Sequence, residues 1–224
     1  MSAPGRVELA IVVVAKAPRP GLAKTRLEPL LGPDGCARLQ AALIARAARW
    51  AVEHAAPGAA YLAHAPADAA GELAPLVPGG VELLPQPDGH LGTRLEAAFT
   101  AAAERSGRPT VLVGTDAPTL SGHHARAVRE DLAAGADVAI GAANDGGWYL
   151  IAARRPHPAL FAIDPQAWGG DRVMGLTLES LARAGLEIGM LRSERDLDVP
   201  ADAAALLADP LAPADVAAEL RGGP

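Results

Sequence analysis

The stretch ELAIVVVAKAPRPGLAKTRL, residues 8–27, decides the fold that we predict for this chain. Its first part, Glu8–Ala15, carries apolar and β-branched residues at both odd and even positions, as a strand buried on both faces of a sheet does. The second part, residues 16–27, combines prolines and small residues with basic side chains. In open α/β sheets the ligand lies beyond the carboxyl ends of the strands. We therefore expect this loop to border a ligand site.

The rest of the chain alternates between segments of strand length and amphipathic helical segments. Further strands are predicted at residues 59–64, 81–84, 110–114, 137–141, 148–153 and 186–191. Helices are predicted over about residues 35–54, 91–105, 123–134 and 172–184, with a mostly helical tail from residue 201. This alternation predicts an α/β fold with three layers (α/β/α), a mainly parallel sheet and a single domain over residues 1–224. The turn at residues 145–147 allows one antiparallel strand, which would make the sheet mixed.

The composition of the 224-residue chain argues against several classes of protein. Its net charge of −6 argues against binding to nucleic acid, because affinity for a phosphate backbone requires many clustered Lys and Arg residues. Cys36 is the only cysteine, so neither an intrachain disulfide nor a cysteine-rich zinc site can form. The apolar run at residues 9–15 is too short to span a bilayer, and Lys16 follows it directly. We expect a cytoplasmic protein that has no membrane partner.

Four basic residues lie close together in the first loop, namely Lys16, Arg19, Lys24 and Arg26. Fixed ammonium and guanidinium groups are the donors that phosphates need. Lys24 and Thr25 resemble the end of a P-loop, but the glycines that this motif requires are missing, and no Gly-x-Gly-x-x-Gly follows the first strand. The loop therefore predicts a phosphate site of another type. A solvated basic loop is the alternative interpretation.

Acidic residues follow two of the predicted strands. Asp116 comes directly after the strand at 110–114, where a carboxylate can hold Mg²⁺ or cap the next turn. Asp196 and Asp198 follow the last predicted strand and point to the same face if the chain is extended there. Such carboxylates repel each other unless a cation lies between them. A metal site with either Asp196 or Asp198 as second ligand, and helix capping by Asp198 or Asp202, both agree with this pattern.

Two more loops carry polar residues and glycines. Residues 144–149, Asn-Asp-Gly-Gly-Trp-Tyr, form either a hairpin turn or a wall against a sugar or a small acceptor. Residues 86–94 run from a loop into a helix, whose free N–H groups bind anions and polar groups. Glycines in that loop would let a base or a ribose approach the backbone closely. We interpret His90 as an exposed loop residue rather than as a ligand.

Five segments occur in the order AKAPRPGLAKTRL, QPDGHLGTRLEAAF, VLVGTDAPTL, NDGGWYLIA and DLDVPADAAAL, between residues 15 and 206. Together they resemble the selenodomain-associated transferases, small bacterial proteins with the glycosyltransferase-A (nucleotide-diphospho-sugar transferase) fold. The first and last segments are also similar to the 2-phospho-lactate and molybdenum-cofactor guanylyltransferases. The resemblance covers nearly the whole chain and implies the glycosyltransferase-A fold. It specifies the activity less closely, because this fold serves both sugar transfer and nucleotidyl transfer.

The resemblance implies roles for particular residues. Lys24, Arg26 and Asp145 would be catalytic. The residues that would bind the nucleotide are Ala15, Lys16, Lys24, Arg26, Gln86, Gly89, Gly92, Arg94 and Thr115. The residues that would bind the sugar or the acceptor are Asp145, Gly146, Gly147 and Trp148. Asp116 and Asp198 would hold the metal ion, Mg²⁺ or Mn²⁺.

The sequence departs from the family pattern at three positions. The Asp-x-Asp motif of metal-dependent glycosyltransferases is reduced to one carboxylate, because the sequence reads Thr115-Asp116-Ala117. His90 replaces an expected acidic residue, and Trp148 replaces an expected tyrosine. The first departure weakens the prediction of sugar transfer, and the other two concern the identity of the acceptor.

The predicted function is metal-dependent transfer from a nucleotide-activated donor, with Mg²⁺ or Mn²⁺ bridging its diphosphate. We expect a glycosyltransferase that moves a sugar from a nucleoside diphosphate sugar to a small acceptor. The alternative is nucleotidyl transfer, of the guanylyltransferase kind, to a phosphorylated small molecule. A third hypothesis is a nucleotide sensor without catalytic activity. In each case the partners are a nucleotide or nucleotide sugar and, for the enzymes, a small-molecule acceptor.

Overall fold

The structure of the protein, a computed structural model, describes residues 7–222, and a seven-stranded sheet lies at its centre. All of the predicted strands are present, with ends that differ by a few residues from the predicted ones. The strands are β1 (Ala10–Lys16), β2 (Ala60–Ala65), β3 (Val81–Pro85), β4 (Thr110–Gly114), β5 (Val138–Ala143), β6 (Trp148–Ala153) and β7 (Ile188–Glu194).

The sheet has the strand order β3-β2-β1-β4-β6-β5-β7. Strand β6 runs antiparallel to both of its neighbours, β4 and β5, and the other pairs are parallel. The turn at residues 144–147 connects β5 to β6 as a hairpin, with Gly146 at a φ of 93° that favours glycine. The prediction of an α/β fold with a mainly parallel, mixed sheet is therefore confirmed.

Helices pack on both faces of the sheet. They are α1 (Glu28–His54), α2 (Ala70–Leu73), α3 (Leu91–Ser106), α4 (Gly122–Ala134), α5 (Val173–Arg183), α6 (Pro200–Ala208) and α7 (Ala214–Arg221). Helix α1 begins seven residues before the predicted start at residue 35, but its backbone is not helical at Gly32, just before Pro33. Proline lacks the N–H group that continues a helix, which explains this break. The short helix α2 is absent from the sequence prediction.

Alternate residues of β1 belong to two different cores. Ile11 and Val13 pack into the core formed with α1 and α4, whereas Ala10 and Val12 pack into the core formed with α3 and α5. All four side chains are completely buried. This confirms the prediction of a strand buried on both faces, and it explains why apolar residues occupy both parities of the sequence.

A third apolar cluster lies at one end of the sheet. It joins the first half of α1 to α6 and α7 and includes Leu27, Leu39 and Leu197. Leu197 is completely enclosed, although it lies between two of the predicted site residues, Asp196 and Asp198. The cluster thus anchors both the end of the basic loop and the acidic segment after β7.

Two predictions concern the chain as a whole. No helix within residues 7–222 is both long enough and apolar enough to cross a membrane. The prediction of a single domain over residues 1–224 stays a prediction, and residues 1–6 and 223–224 lie outside the described part.

The burial of leucines gives a test of the fold. Leu132 on α4 is completely buried, whereas Leu211 is 83% exposed. We expect Leu132→Ala to lower the free energy of unfolding by about 2–5 kcal/mol, because it removes buried methyl groups and leaves a cavity. The matched change Leu211→Ala should alter it by less than about 0.5 kcal/mol. Urea denaturation of both variants measures these values, and equal losses would contradict the assigned burial.

Candidate active site

A cavity of about 470 Å³ opens at the carboxyl ends of β1 and β4. This volume lies within the range of about 300–1,000 Å³ that is typical of small-molecule sites. Most of the predicted site residues line it, although they come from distant parts of the sequence. These residues are Ala15, Lys16, Lys24, Arg26, Arg94, Thr115, Asp116, Asp145, Gly147, Trp148 and Asp198.

Lys24 is one of the residues that line this cavity. Its backbone adopts a left-handed conformation, with φ at 55°, which no other non-glycine residue shares within residues 7–222. This conformation costs roughly 1–2 kcal/mol for a residue with a Cβ atom. The backbone is held in place by hydrogen bonds to the Lys24 carbonyl from Leu27 N, at 2.8 Å, and from Cys36 Sγ, at 3.2 Å. Strain of this kind is frequent at functional sites.

The Lys24 ammonium group joins three loops of the protein. Its Nζ donates to Asp116 Oδ1 at 2.5 Å, to the Leu197 carbonyl at 2.8 Å and to Asp198 Oδ1 at 3.0 Å. An ammonium group has three N–H donors, so all of them are used. The side chain is only 3% exposed. The loops that follow β1, β4 and β7 are thereby tied together.

Opposite charges in this cluster keep each other ionised. Burial alone would lower the pKa of Lys24, but Asp116 and Asp198 more than offset it, so the pKa of Lys24 is raised. Burial would likewise raise the pKa of Asp116, yet the neighbouring Lys24 lowers it. Lys24 occupies the point between the two carboxylates where the sequence predicted a metal ion. Its predicted contact with phosphate stays a prediction.

Asp196 brings an additional carboxylate to the same cavity. Its Oδ1 atom is buried and has no hydrogen-bond partner within residues 7–222. Burial raises the pKa of Asp196 to about 7, and the negative charges of Asp116, Asp145 and Asp198 add to this effect. The loop after β7 therefore carries more negative charge at the cavity than the nearby basic side chains of the protein balance.

Helix capping after β7 is performed by Asp202. Its Oδ2 accepts hydrogen bonds from the backbone N–H groups of Asp198, at 3.2 Å, and Val199, at 3.0 Å. The Asp198 side chain is thus not the cap of α6, and its carboxylate faces Lys24 and the cavity instead. Of the two residues that the sequence offered as helix caps, Asp198 and Asp202, it is Asp202 that caps α6.

The carboxylates fit part of a divalent metal site. Asp116, Asp196 and Asp198 are the hard oxygen ligands that Mg²⁺ and Mn²⁺ prefer. However, no group of three or more His, Cys, Asp or Glu residues within residues 7–222 is arranged to hold an ion by itself. A metal ion here would therefore need oxygen atoms from water or from a substrate phosphate, as Mg²⁺ usually does. The metal ion stays a prediction.

Three more basic side chains line the cavity, and their positive charges are largely available. Lys16 forms no ion pair within residues 7–222, and Arg26 is 69% exposed, with Nη1 4.0 Å from Asp198 Oδ2. Arg94 donates from Nε to Gln86 Oε1 at 2.7 Å, which orients the guanidinium without neutralising it. Gln86 does not line the cavity, and its predicted contact with the nucleotide stays a prediction.

Arg19 does not take part in this site. Its guanidinium pairs with Asp68 at 3.0 Å and with Glu72 at 2.5 Å, on the segments that follow β2. The four basic residues that lie close together in the first loop of the sequence therefore do not all reach the same site in the structure. Arg19 fastens the loop to a neighbouring segment, whereas the other three cations reach the cavity.

Three glycines that were predicted as site residues, Gly89, Gly92 and Gly146, do not line the cavity. They allow close packing or a backbone conformation that other residues disfavour. A Cβ atom at Gly146 would overlap the backbone of Asp171, and one at Gly92 would overlap the indole ring of Trp168. Gly89 has a φ of 139°, which disfavours other residues. His90 caps α3, since its ring accepts a hydrogen bond from Thr93 N at 3.4 Å. The predicted contacts of Gly89 and Gly92 with the nucleotide, and of Gly146 with the sugar or the acceptor, stay predictions.

One wall of the cavity, formed by residues 168–170, was not predicted from the sequence. The indole rings of Trp148 and Trp168 meet edge to face, with their centroids 6.2 Å apart. Each tryptophan adjoins a Gly-Gly pair, in the segments Asp-Gly-Gly-Trp (145–148) and Trp-Gly-Gly-Asp (168–171). This repeated combination, in a chain with 3% aromatic residues, was a signal that could have identified the second segment.

A buried carboxylate outside the cavity braces the acidic loops. Glu194, at the end of β7, accepts a hydrogen bond from Thr119 Oγ1 at 2.5 Å and forms an ion pair with Arg192, whose Nε lies 2.6 Å from Oε1. Its Oε1 also lies 3.0 Å from His124 Nε2. Burial would raise the pKa of Glu194, but its contacts with His124, Thr119 and Arg192 lower it. The brace connects the loop that carries Asp116 to the strand that precedes Asp196.

Comparison with known families gives one match. Residues 47–169 match the sequence profile of a family described as "Uncharacterized protein conserved in bacteria (DUF2064)". The matched segment covers more than half of the chain and includes β2 to β6 with the Asp116 loop. No curated protein matches the chain.

Several solved structures share the fold. A candidate nucleotide-diphospho-sugar transferase from Desulfovibrio desulfuricans G20 is 28% identical, with a TM-score of 0.80, over 96% of this chain and 94% of that one. A cytidylyltransferase from Leptospira borgpetersenii serovar Hardjo-bovis is 10% identical, with a TM-score of 0.54, over 88% and 83% of the two chains. The CMP:2-keto-3-deoxy-manno-octonic acid synthetase, solved with CTP, is 15% identical, with a TM-score of 0.53, over 87% and 94%. The resemblance to the nucleotide-diphospho-sugar transferase fold is thereby confirmed.

The lowered pKa of Glu194 gives a pH-dependent prediction. We expect Glu194→Gln to lower the free energy of unfolding by about 1.5–3 kcal/mol at pH 7, because charged hydrogen bonds to a buried carboxylate are lost. A folded pKa below the unfolded value of about 4.3 means that this contribution is complete above that pH and disappears as the pH falls through the folded pKa. Urea denaturation at pH 7 and at lower pH measures the difference.

The control for this experiment is Glu187→Gln, which neutralises an exposed glutamate close to the same strand. It should change the free energy of unfolding by less than about 0.5 kcal/mol at each pH. A loss for Glu194→Gln that is equally large at all pH values would contradict the ionised brace.

Proposed function

The chain belongs to the DUF2064 family of bacterial proteins, and from the cavity we propose that it is a nucleotide-dependent transferase. Specifically, we propose that it is a glycosyltransferase, which moves a sugar from a nucleoside diphosphate sugar to a small acceptor. The observation that carries the proposal is the bridge from Lys24 to Asp116 and Asp198, in a cavity that three further cations line. The similarity to the Desulfovibrio protein, named for nucleotide-diphospho-sugar transfer, supports the same choice.

The donor would lie along the carboxyl ends of β1 and β4. Lys16, Arg26 and Arg94 would bind its diphosphate, because fixed cations form strong, charge-assisted hydrogen bonds with phosphate oxygens. Ala15 and Thr115 line the cavity at the ends of the same two strands and would border the nucleoside. The neutral partner of Arg94, Gln86, would keep its guanidinium in a fixed orientation.

The acidic residues fit a divalent cation, with Asp116 and Asp198 as its ligands and Asp196 as a third carboxylate nearby. A bound Mg²⁺ or Mn²⁺ supplies positive charge for the diphosphate as it becomes the leaving group. Lys24 already pairs with Asp116 and Asp198, so it holds these two ligands together before any ion binds. From this position the Lys24 ammonium would lie close to the donor diphosphate, where its positive charge would stabilise the leaving group.

The transfer itself exchanges one bond for another. The acceptor hydroxyl oxygen bonds to the anomeric carbon of the sugar, and the bond from that carbon to the diphosphate oxygen breaks. The nucleoside diphosphate leaves with the bonding electrons, while the hydroxyl proton passes to Asp145 and then to solvent. Gly147 N donates to Asp145 Oδ1 at 2.9 Å, which fixes this carboxylate beside the cavity. Arg26 and Lys24 stabilise the charge on the leaving group.

A second candidate is nucleotidyl transfer, which one observation favours. Only a single carboxylate, Asp116, follows β4, where metal-dependent glycosyltransferases carry an Asp-x-Asp pair. In this reaction a phosphate oxygen of the acceptor attacks the α-phosphorus of a nucleoside triphosphate, and pyrophosphate leaves. The two reactions thus differ in donor, leaving group and acceptor charge.

Product identification distinguishes the two reactions. We would screen nucleoside diphosphate sugars and nucleoside triphosphates by thermal shift, with Mg²⁺, with Mn²⁺ and with chelator, since a bound ligand raises the apparent stability. Donors that bind are then incubated with pooled acceptors, and the released nucleotide is identified by mass spectrometry. Nucleoside diphosphate supports glycosyl transfer, and pyrophosphate supports the second candidate. If no nucleotide of either class binds, both proposals are wrong.

The metal ligands give the first prediction for this site. Asp116→Asn and Asp198→Asn should each abolish the Mg²⁺ dependence of nucleotide binding, because an amide is a poor substitute for a carboxylate ligand. Calorimetry with Mg²⁺ and with chelator measures the effect. Glu104→Gln, which neutralises an exposed glutamate on α3, is the control and should retain the wild-type response. A wild-type Mg²⁺ response in both Asp variants would contradict the assignment of the metal ligands.

The cationic wall gives a second prediction. Arg94→Ala should weaken the binding of a nucleoside diphosphate by about 1.5–3 kcal/mol, the range for a hydrogen bond to a charged group. The matched control is Arg105→Ala on the same helix, where the arginine pairs with the exposed Glu82 at 3.2 Å. Its dissociation constant should stay within about twofold of wild type, since Arg105 lies outside the cavity. Equal losses in both variants would indicate a general charge effect and not a specific contact.

A further inference from the structure

The charged residues of the cavity are divided between its two halves. Lys16 is the last residue of β1, and Arg94 lies in the first turn of α3, which follows β3. Asp145 precedes β6, whereas Asp196 and Asp198 follow β7. Because the strand order is β3-β2-β1-β4-β6-β5-β7, the cations lie toward one half of the sheet and the carboxylates toward the other. We call these the cationic half and the acidic half of the cavity.

Two cations reach the boundary between the halves, and neither makes the acidic half a site for anions. Lys24 already uses its three N–H donors for Asp116, Leu197 and Asp198. Arg26 approaches Asp198 Oδ2 only to 4.0 Å and is mostly in solvent. Among the described residues that line the cavity, every other Lys or Arg belongs to the cationic half.

Two tryptophans line the cavity as well: Trp148 begins β6, close to Asp145, and Trp168 lies between Trp148 and the first turn of α3. The Nε1 atoms of Trp148 and Trp168 are buried and have no hydrogen-bond partner within residues 7–222. Both residues line the cavity. The position of Trp168 depends on Gly92, because any Cβ atom there would overlap its ring. Apolar ring surface therefore lies in the same cavity as the carboxylate oxygens of Asp145 and Asp196.

From this division we infer that the acceptor binds in the acidic half and is a neutral or amine-bearing hydroxyl compound without phosphate or carboxylate groups. This inference rests on the proposed glycosyl transfer, in which the donor diphosphate occupies the cationic half. Hydroxyl and ammonium groups donate to the carboxylates. Aromatic rings pack against the apolar faces of such compounds and attract cations. An anionic acceptor would meet the like charges of Asp145 and Asp196, because a divalent cation on Asp116 and Asp198 would be engaged by the donor diphosphate.

The proposed class of acceptor agrees with the bonds that form and break in glycosyl transfer. A hydroxyl oxygen of the acceptor forms the bond to the anomeric carbon, its proton passes to Asp145, and the nucleoside diphosphate leaves from the cationic half. Nucleotidyl transfer would instead require a phosphorylated acceptor next to Asp145 and Asp196. The charge of the acidic half therefore favours glycosyl transfer over the second candidate, because it disfavours the acceptor that the latter needs.

The test compares acceptors in matched pairs: D-glucosamine with D-glucosamine 6-phosphate, D-mannose with D-mannose 1-phosphate, and glycerol with glycerol 3-phosphate. Binding to the full chain is measured by ligand-observed NMR, both alone and in the presence of a nucleoside diphosphate sugar. In at least one pair the unphosphorylated member should bind about tenfold or more tightly than its phosphate ester, on the scale of like-charge juxtaposition. A phosphate ester that binds equally well or better in every pair overturns the inference. So does the absence of binding by all members when the donor itself binds.

Two variants test the acidic half directly. Asp145→Asn keeps a side-chain oxygen for Gly147 N but removes the charge, so it should reduce the preference for the unphosphorylated member about three- to tenfold. Trp148→Ala should weaken binding of that member by about tenfold, since aromatic contacts next to Asp145 are lost, while nucleoside diphosphate binding stays within about twofold of wild type. Glu104→Gln, on the exposed face of α3, should leave both preferences unchanged. An unaltered preference in Asp145→Asn contradicts the inference.

Failure of the proposed function has a different signature. If no nucleoside diphosphate sugar binds, the donor arm of the experiment fails, whatever the result for the acceptor pairs. If the donor binds and nucleoside diphosphate is released, but the phosphate esters are the preferred acceptors, glycosyl transfer stands and the inference about the acceptor is wrong. The two claims are therefore tested by separate measurements.

Discussion

The hydrogen bonds from the Lys24 ammonium to Asp116, Asp198 and the Leu197 carbonyl join loops that are far apart in the sequence. Without this ammonium, the carboxylates would face one another in a partly buried space, where like charges are costly. With it, the loops after β1, β4 and β7 converge on one point. The left-handed backbone at Lys24 is the local strain that accompanies this contact.

Two other features of the fold keep the acidic loops in place. Leu197 lies in the apolar cluster with α1, α6 and α7, so the segment that carries Asp196 and Asp198 is anchored between its two charges. Glu194 ties the same segment to Thr119 and His124, beyond Asp116. Apolar packing and a buried charged network thus support the same few residues from behind. The side chains at the cavity can remain charged and partly unsatisfied because their backbone is held by these contacts.

The order of the strands explains why one half of the cavity is cationic and the other half is acidic. Strands β1, β2 and β3 bring the basic loop and the start of α3 to one side, and the hairpin β5–β6 with β7 brings Asp145, Trp148, Asp196 and Asp198 to the other. A donor with a diphosphate and an acceptor without one have opposite requirements for charge. A cavity divided in this way can meet both, and Asp116 and Lys24 lie at the junction where the reacting atoms would come together.

The sequence by itself determined the type of fold and the loops that matter. The β-branched residues on both parities of β1, the alternation of strands and helices, and the glycine turn at residues 145–147 are local signals, because each depends on neighbours along the chain. The sequence could not determine that Lys24 contacts carboxylates, that Arg19 pairs with Asp68 and Glu72, that Gln86 orients Arg94, or that Trp168 faces Trp148. These contacts join residues far apart in the chain, and only the order of the strands and the packing of the helices decide which charges and rings meet.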